Sequence, residues 1–123
     1  FELERLALQN ISFFRHSTIA VMTISQEMMR RSGATEDDTD GIATLPRQIQ
    51  GVEVGITLRE VEKDSYRISA RSDGRINMSE VCQRLGGGGH IRAAGARLQG
   101  DHAEIVDRVV REVLAQYAAR EEE

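Results

Sequence analysis

The chain has 123 residues, 40% hydrophobic and 29% charged, a mixture that suits one globular domain and excludes wholesale disorder. A single cysteine, Cys82, excludes an internal disulfide and a multi-cysteine metal site, and no apolar run reaches the roughly 18 residues of a membrane span. The net charge of −4 argues, at face value, against a nucleic-acid partner.

The opening residues Phe1-Glu2-Leu3-Glu4-Arg5 have no initiator methionine and no signal-like stretch, and read as the inside of a longer protein. Leu3, Leu6, Ala7, Ile11 and Phe14 at helical spacing predict an entry helix over residues 1–14. A turn at His16-Ser17 leads to residues 18–24, apolar on both faces as in a strand inside a covered sheet. Ser25 offers an N-cap for a helix over 26–32 that Gly33 ends. The acidic run of residues 35–40 reads as a loop with a capping residue at its end. Ile42, Leu45 and Ile49 suggest a second helix, kinked or split by Pro46, the only proline.

Val52, Val54, Ile56 and Leu58 alternate with polar or small residues, the period of a half-wet strand. Glu62-Lys63-Asp64 turns the chain into a second alternating segment of Tyr66, Ile68 and Ala70 against Arg67, Ser69 and Arg71, so a hairpin is expected. After the Asp73-Gly74 turn, Ser79 caps a helix carrying Val81, Cys82 and Leu85, which runs into Gly86-Gly87-Gly88-Gly89-His90. Ala96 and Leu98 suggest a last short strand, and Ile105 to Tyr117 a long amphipathic helix. Glu121, Glu122 and Glu123 at its dipole's negative end are expected to fray. The sum is one α/β domain, a mixed β-sheet of about four to five strands flanked by helices, with the strand order open.

The charge is unevenly spread. Residues 65–100 hold Arg67, Arg71, Arg75, Arg84, Arg92 and Arg97 against Asp73 and Glu80, a local net of +4, while the other residues are net −8. Fifteen of the sixteen basic residues are arginines, whose planar fork grips phosphate oxygens in pairs where Lys63 would act as a point charge. Codon bias accounts for arginine everywhere, but not for acids avoiding this third.

The glycine run points to backbone in positive-φ or close-approach geometry. Followed by Ile91-Arg92-Ala93-Ala94-Gly95, it reads as a loop opening onto a short helix, whose free N–H groups and dipole would bind an anion, with His90 adding a donor and Arg92 a charge. A tight turn is the plainer alternative. Neither a Walker A loop nor a dinucleotide fingerprint fits these glycines. Arg71 and Ser72 at the end of a strand form the second candidate, and Arg67 reads as an exposed edge residue. His16, His90 and His102 are too scattered for a metal motif, Cys82 reads as core, and no catalytic residue or metal ligand is assigned.

The stretch from Gly86 to Gly95 resembles the glycine-rich motif of the DHH-associated domain, the C-terminal half of DHH-family phosphoesterases in the RecJ-like superfamily. Residues 49–60 and 66–72 are similar to that family's hairpin strands, and 76–81 to the helix before its glycines; residues 18–50 look like the bacterial oligoribonuclease (nano-RNase) branch that also dephosphorylates 3′-phosphoadenosine 5′-phosphate. The resemblance implies that residues 1–15 link a preceding DHH domain, with its manganese pair, to a substrate-binding domain over 16–123 that itself holds no cofactor. It implies that Gly87, Gly88, Gly89 and His90 grip phosphate, that Arg71 and Ser72 hold the backbone or terminal nucleotide, and that Arg92 adds a weaker contact. The implied ligands are short RNA or DNA or a phosphorylated nucleotide, in a cytoplasmic parent protein for which a homodimer is one option. Asp73, where relatives often carry a basic or neutral residue, fits a short substrate. A cyclic dinucleotide phosphodiesterase domain and a tRNA-editing-associated binding module are the alternatives.

Overall fold

The computed structural model describes residues 2–121, so the expectations for Phe1, Glu122 and Glu123 lie outside the described residues. The sheet is built around the strand with two apolar faces, β2 (Ile19–Ile24). Its Ile19 and Val21 enter one core cluster and its Met22 and Ile24 the other, so both faces must be covered. β3 (Val54–Glu62) lies parallel to β2, with Ile19 opposite Val54 and Ile24 opposite Arg59. The crossover between them holds α2 (Gln26–Ser32), α3 (Glu36–Ile42) and α4 (Leu45–Gln48). β4 (Ser65–Ser72) returns as the expected hairpin, with Asp64 in the turn at φ 59°.

Six strands form the sheet, slightly more than expected, in the order β1-β2-β3-β4-β6-β5. The two additions are edge strands. β1 (Ile11–Phe14) pairs antiparallel with β2, so the helix expected over residues 1–14 stops as α1 (Glu2–Leu8). Ile11 and Phe14 pack against opposite core clusters, which a short strand on a two-sided sheet allows and a continuing surface helix would not. The turn to β2 takes Arg15, His16 and Ser17 through left-handed φ values of 51°, 54° and 61°.

The acidic run is α3 rather than a loop. Thr35 is its N-cap, its N–H donating to the Asp38 carboxylate at 2.7 Å, and three acids in the first turn suit the positive end of the helix dipole. That backbone hydrogen bond also lowers the Asp38 carboxyl below its usual range. Pro46 sits in the first turn of α4, so the second expected helix begins at Leu45 as a separate piece, split from α3. α4 lies so close on the sheet that a Cβ at Gly55 would come 2.6 Å from the Arg47 amide nitrogen.

One sheet face is covered by α5 (Met78–Arg84) and α6 (His102–Glu121), whose Met78, Val81, Ile105, Val109 and Val113 are fully buried against β2, β3 and β4. Asn77 caps α5, its side chain accepting from the Glu80 N–H at 3.2 Å, whereas the expected cap, Ser79, lies inside the helix and accepts from Gln83 at 3.1 Å. Asn77→Ala should therefore cost about 1 kcal/mol in chemical unfolding and Ser79→Ala much less; the reverse ranking would return the cap to Ser79. On the opposite face α1, α2, α3 and α4 pack over β2 and β3 and enclose the second cluster around Leu3, Leu6, Met22 and Ile24. Beyond β3, that face carries exposed and half-buried polar side chains instead of a helical cover.

Candidate phosphate-binding face

Strand register sets the chemistry of this half-open face. Arg59 of β3 stands opposite Arg67 of β4, which stands opposite Arg97 of β6 (Ala93–Gln99), so three arginines lie abreast on one face. Two residues along comes Thr57, Ser69 and Gly95, and two further comes Gly55, Arg71 and Ala93. The floor between Arg67 and Arg71 is therefore small and polar. Arg59 is held by Glu36 of α3 through both of its terminal guanidinium nitrogens. That hydrogen bond pulls the Glu36 carboxyl below its usual range and raises Arg59. Among the described residues Arg67, Arg71 and Arg97 have no acidic partner within salt-bridge distance.

Arg71 is half-buried and belongs to two adjoining recesses. One, of about 230 Å³, is lined with it by Thr39, Asp40, Thr57, Arg59, Arg67 and Ser69. The other joins it to Arg47, Gln48, Ser72, Arg92 and Ala93. Its Nε is buried without a hydrogen-bond acceptor among the described residues. A donor left so costs about 1–3 kcal/mol, which an anion in either recess would recover.

Of the other residues singled out in the sequence, Arg92 meets Arg71 in the second recess, and a Cβ at Gly74 would stand 3.1 Å from its Nε, so its guanidinium lies across the Asp73-Gly74 turn. Ser72 is buried, and its hydroxyl donates to the Ile76 carbonyl at 2.8 Å while accepting from the Gly74 N–H at 3.1 Å. It fixes the turn after Arg71 and spends its hydroxyl proton there. His90 is exposed and lines neither recess.

The glycines do not open onto a helix. β5 (Gly88–Gly89) pairs with β6, and His90 and Ala93 exchange both backbone hydrogen bonds, at 2.8 and 3.3 Å, across a tight turn at Ile91-Arg92. No helix dipole assists here, because the next residues form a strand. The N–H groups of Gly86, Gly87 and His90 donate to the carbonyls of Gln83, Cys82 and Ala93, so the free-amide nest expected from sequence is closed at those three. What the run secures is close approach. A Cβ at Gly87 would come 2.0 Å from the Gly95 carbonyl oxygen, so only glycine lets the loop lie against β6. The result is a third recess of Arg67, Gly86, Gly87, Gly95, Ala96 and Arg97, which shares Arg67 with the first.

The DHHA1 domain family matches residues 16–119. The chain belongs to the DHHA1 domain family. A bifunctional oligoribonuclease and PAP phosphatase NrnA from Thermus thermophilus is 33% identical, the match covering 89% of this chain and 36% of that protein. A cyclic-di-AMP phosphodiesterase GdpP from Geobacillus thermodenitrificans is 32% identical over 56% of this chain and 10% of its own length. The DHHA1 domain thus spans about a third of the Thermus relative and less of the other. The crystal structure of an exopolyphosphatase-related protein from Bacteroides fragilis shares the fold, with a TM-score of 0.85 and 22% identity over 97% of this chain and 35% of that one.

Sequence reasoning missed Arg47, Arg59 and Arg97 in this DHHA1 domain and set Arg67 aside. The alternation of Arg67, Ser69 and Arg71 put those three on one face, but which strands flank them is a property of the sheet. Among the described residues no three His, Cys, Asp or Glu side chains converge to hold a metal. No helix among them is long and apolar enough to cross a membrane.

Cys82 is fully buried in the main core, and burial pushes its thiol from 9.0 up to about 11. Tyr117, whose hydroxyl donates to Glu53 at 2.8 Å, is pushed by burial and that carboxylate to about 12. Both groups are protonated in the native state where the unfolded chain begins to ionise. Their contribution is therefore complete below about pH 9 and lost as pH rises toward 11–12. A thiol reagent at pH 8 should leave native Cys82 unmodified and label it on unfolding; rapid labelling of the folded protein would contradict its burial.

Proposed function

We propose that this DHHA1 domain is the substrate-binding part of a two-domain metal-dependent phosphoesterase, acting on short oligoribonucleotides or 3′-phosphoadenosine 5′-phosphate. The observation that carries the reading is Arg71: a half-buried guanidinium with an unsatisfied Nε, at the junction of two recesses on an arginine-lined face. The names of the similar NrnA proteins support the substrate class. In this division of labour the hydrolytic metals belong to a DHH domain in the same protein, and the DHHA1 face holds phosphate oxygens and orients the strand. Arg71 supplies the charge and the fork, Arg92 and Arg47 flank it, and the close-packed Gly86-Gly87 loop brings backbone up to the same surface. Gly88, Gly89 and His90 form the edge next to that loop and line none of the three recesses, so any phosphate contact from them would come from outside the recesses.

The test is direct binding and turnover with the 123-residue chain. Tri-adenylate and 3′-phosphoadenosine 5′-phosphate should both bind, and neither should release phosphate or mononucleotide with manganese added. Hydrolysis by a pure sample would overturn the division of labour, and no binding of either would overturn the binding role. The match to a cyclic-di-AMP phosphodiesterase makes cyclic di-AMP the third ligand of the series. Tighter binding of cyclic di-AMP than of both linear ligands would move the assignment to that branch.

A further inference from the structure

The Arg59, Arg67 and Arg97 row is costly as it stands. Like charges directly opposite one another on neighbouring strands repel, and this row places them opposite twice, at Arg59–Arg67 and Arg67–Arg97. Glu36 forms its ion pair with Arg59 and reaches Arg67 only as a weaker, longer-range attraction. Arg67 and Arg97 are exposed, and between them the surface is lowered by Gly86, Gly87 and Gly95, so a ligand group can settle between the two guanidinium groups. Arg67 and Arg71 lie four residues apart on one strand, about 13 Å along it. One phosphate does not bridge that distance. The floor between them, Thr57, Ser69 and Gly95, has no large side chain to block a chain lying along it.

We propose that Arg67 and Arg97, backed by Arg59, form a second anion subsite that takes a further phosphate of the strand whose first phosphate Arg71 holds. The face is then built for an oligonucleotide running along β4, with a mononucleotide bisphosphate filling only the Arg71 end. This rests on the proposed binding role of Arg71 and adds to it the length of the substrate. The low aromatic content, with two tyrosines and three phenylalanines, is consistent with a face that reads backbone charge more than base stacking.

The test compares 5′-phosphorylated tri-adenylate with 3′-phosphoadenosine 5′-phosphate on the wild-type chain, on Arg67→Gln/Arg97→Gln, and on Arg108→Gln as a charge control on the exposed face of α6. Arg67 and Arg97 are exposed, so the double variant keeps its core, and its melting curve verifies this. The double variant should lose about tenfold in affinity for tri-adenylate at low salt while binding of the bisphosphate changes less than twofold. Its plot of log affinity against log salt for tri-adenylate should flatten by about 0.7 for each phosphate contact removed. An equal loss for both ligands, an equal loss with Arg108→Gln, or no loss at all overturns the second subsite. If the wild-type chain binds the bisphosphate but tri-adenylate no more tightly, the second subsite fails while the Arg71 reading stands. If it binds neither, the Arg71 reading falls and this inference with it.

Discussion

Arg71→Ala should weaken binding of 3′-phosphoadenosine 5′-phosphate and tri-adenylate alike by about 2 kcal/mol, roughly thirtyfold, read by calorimetry or fluorescence anisotropy. The magnitude is that of charge-assisted hydrogen bonds to an ionised partner, lost together with the charge that attracts it. Arg71→Lys should restore only part of it, because an ammonium group keeps the charge and loses the two-pronged geometry. Thermal stability gives an independent check on the cause. Arg71 makes no ion pair among the described residues, and its Nε is buried without an acceptor, so removing it takes away an unsatisfied donor rather than a stabilising contact. The melting temperature of Arg71→Ala should therefore stay level or rise slightly. A variant that melts early and binds normally would make Arg71 a structural residue.

Gly87→Ala should destabilise the domain by about 1–3 kcal/mol, a fall of roughly 4–12 °C in melting temperature for a chain of this size. The added methyl would stand 2.0 Å from the Gly95 carbonyl oxygen and 2.7 Å from the Ala96 Cα, both backbone atoms of a paired strand that cannot swing aside. Gly88→Ala meets nothing within 4 Å and should melt within about 0.5 kcal/mol of the wild type. The pair separates two uses of one glycine run. If Gly88→Ala keeps its stability and loses phosphate binding, Gly88, with open space at its Cβ position, touches ligand while Gly87 packs. Matching melting temperatures for the two variants would remove the packing account.

The contrast between Gly87 and Gly88 is invisible in a run of identical residues. The sequence pointed to a motif with a shared purpose, and the structure divides it. Gly86 and Gly87 hold the turn after α5, Gly88 and Gly89 form a two-residue edge strand, and His90 closes a hairpin. The anion-binding helix expected after the glycines is absent because Ala93 to Gln99 finds a partner in β4, and small residues pack as well in a strand beside glycines as in a helix. Asn77 displaced Ser79 as the cap of α5 for a similar reason. The Met78 N–H donates to the Ile91 carbonyl at 2.8 Å, so the helix is entered two residues earlier than local sequence suggests.

Local pattern alone determined a good deal about this protein. The two apolar faces of residues 19–24 required a covered central strand, the alternation in residues 54–58 and 66–71 required a hairpin, and the Gly86 to Gly95 motif pointed to the family that matches residues 16–119. The concentration of arginine over residues 65–100 also marked where an anion would be met, against a net charge of −4. Only the tertiary structure decided that Arg59, Arg67 and Arg97 stand in one row, that Arg71 opens into two recesses, and that Ser72 is spent on its turn. Alternation says which residues share a face of a strand. Which strand lies beside it, and in what register, depends on hydrogen-bond partners tens of residues away, and a shift of one residue in β4 would send Arg67 and Arg71 to the other side.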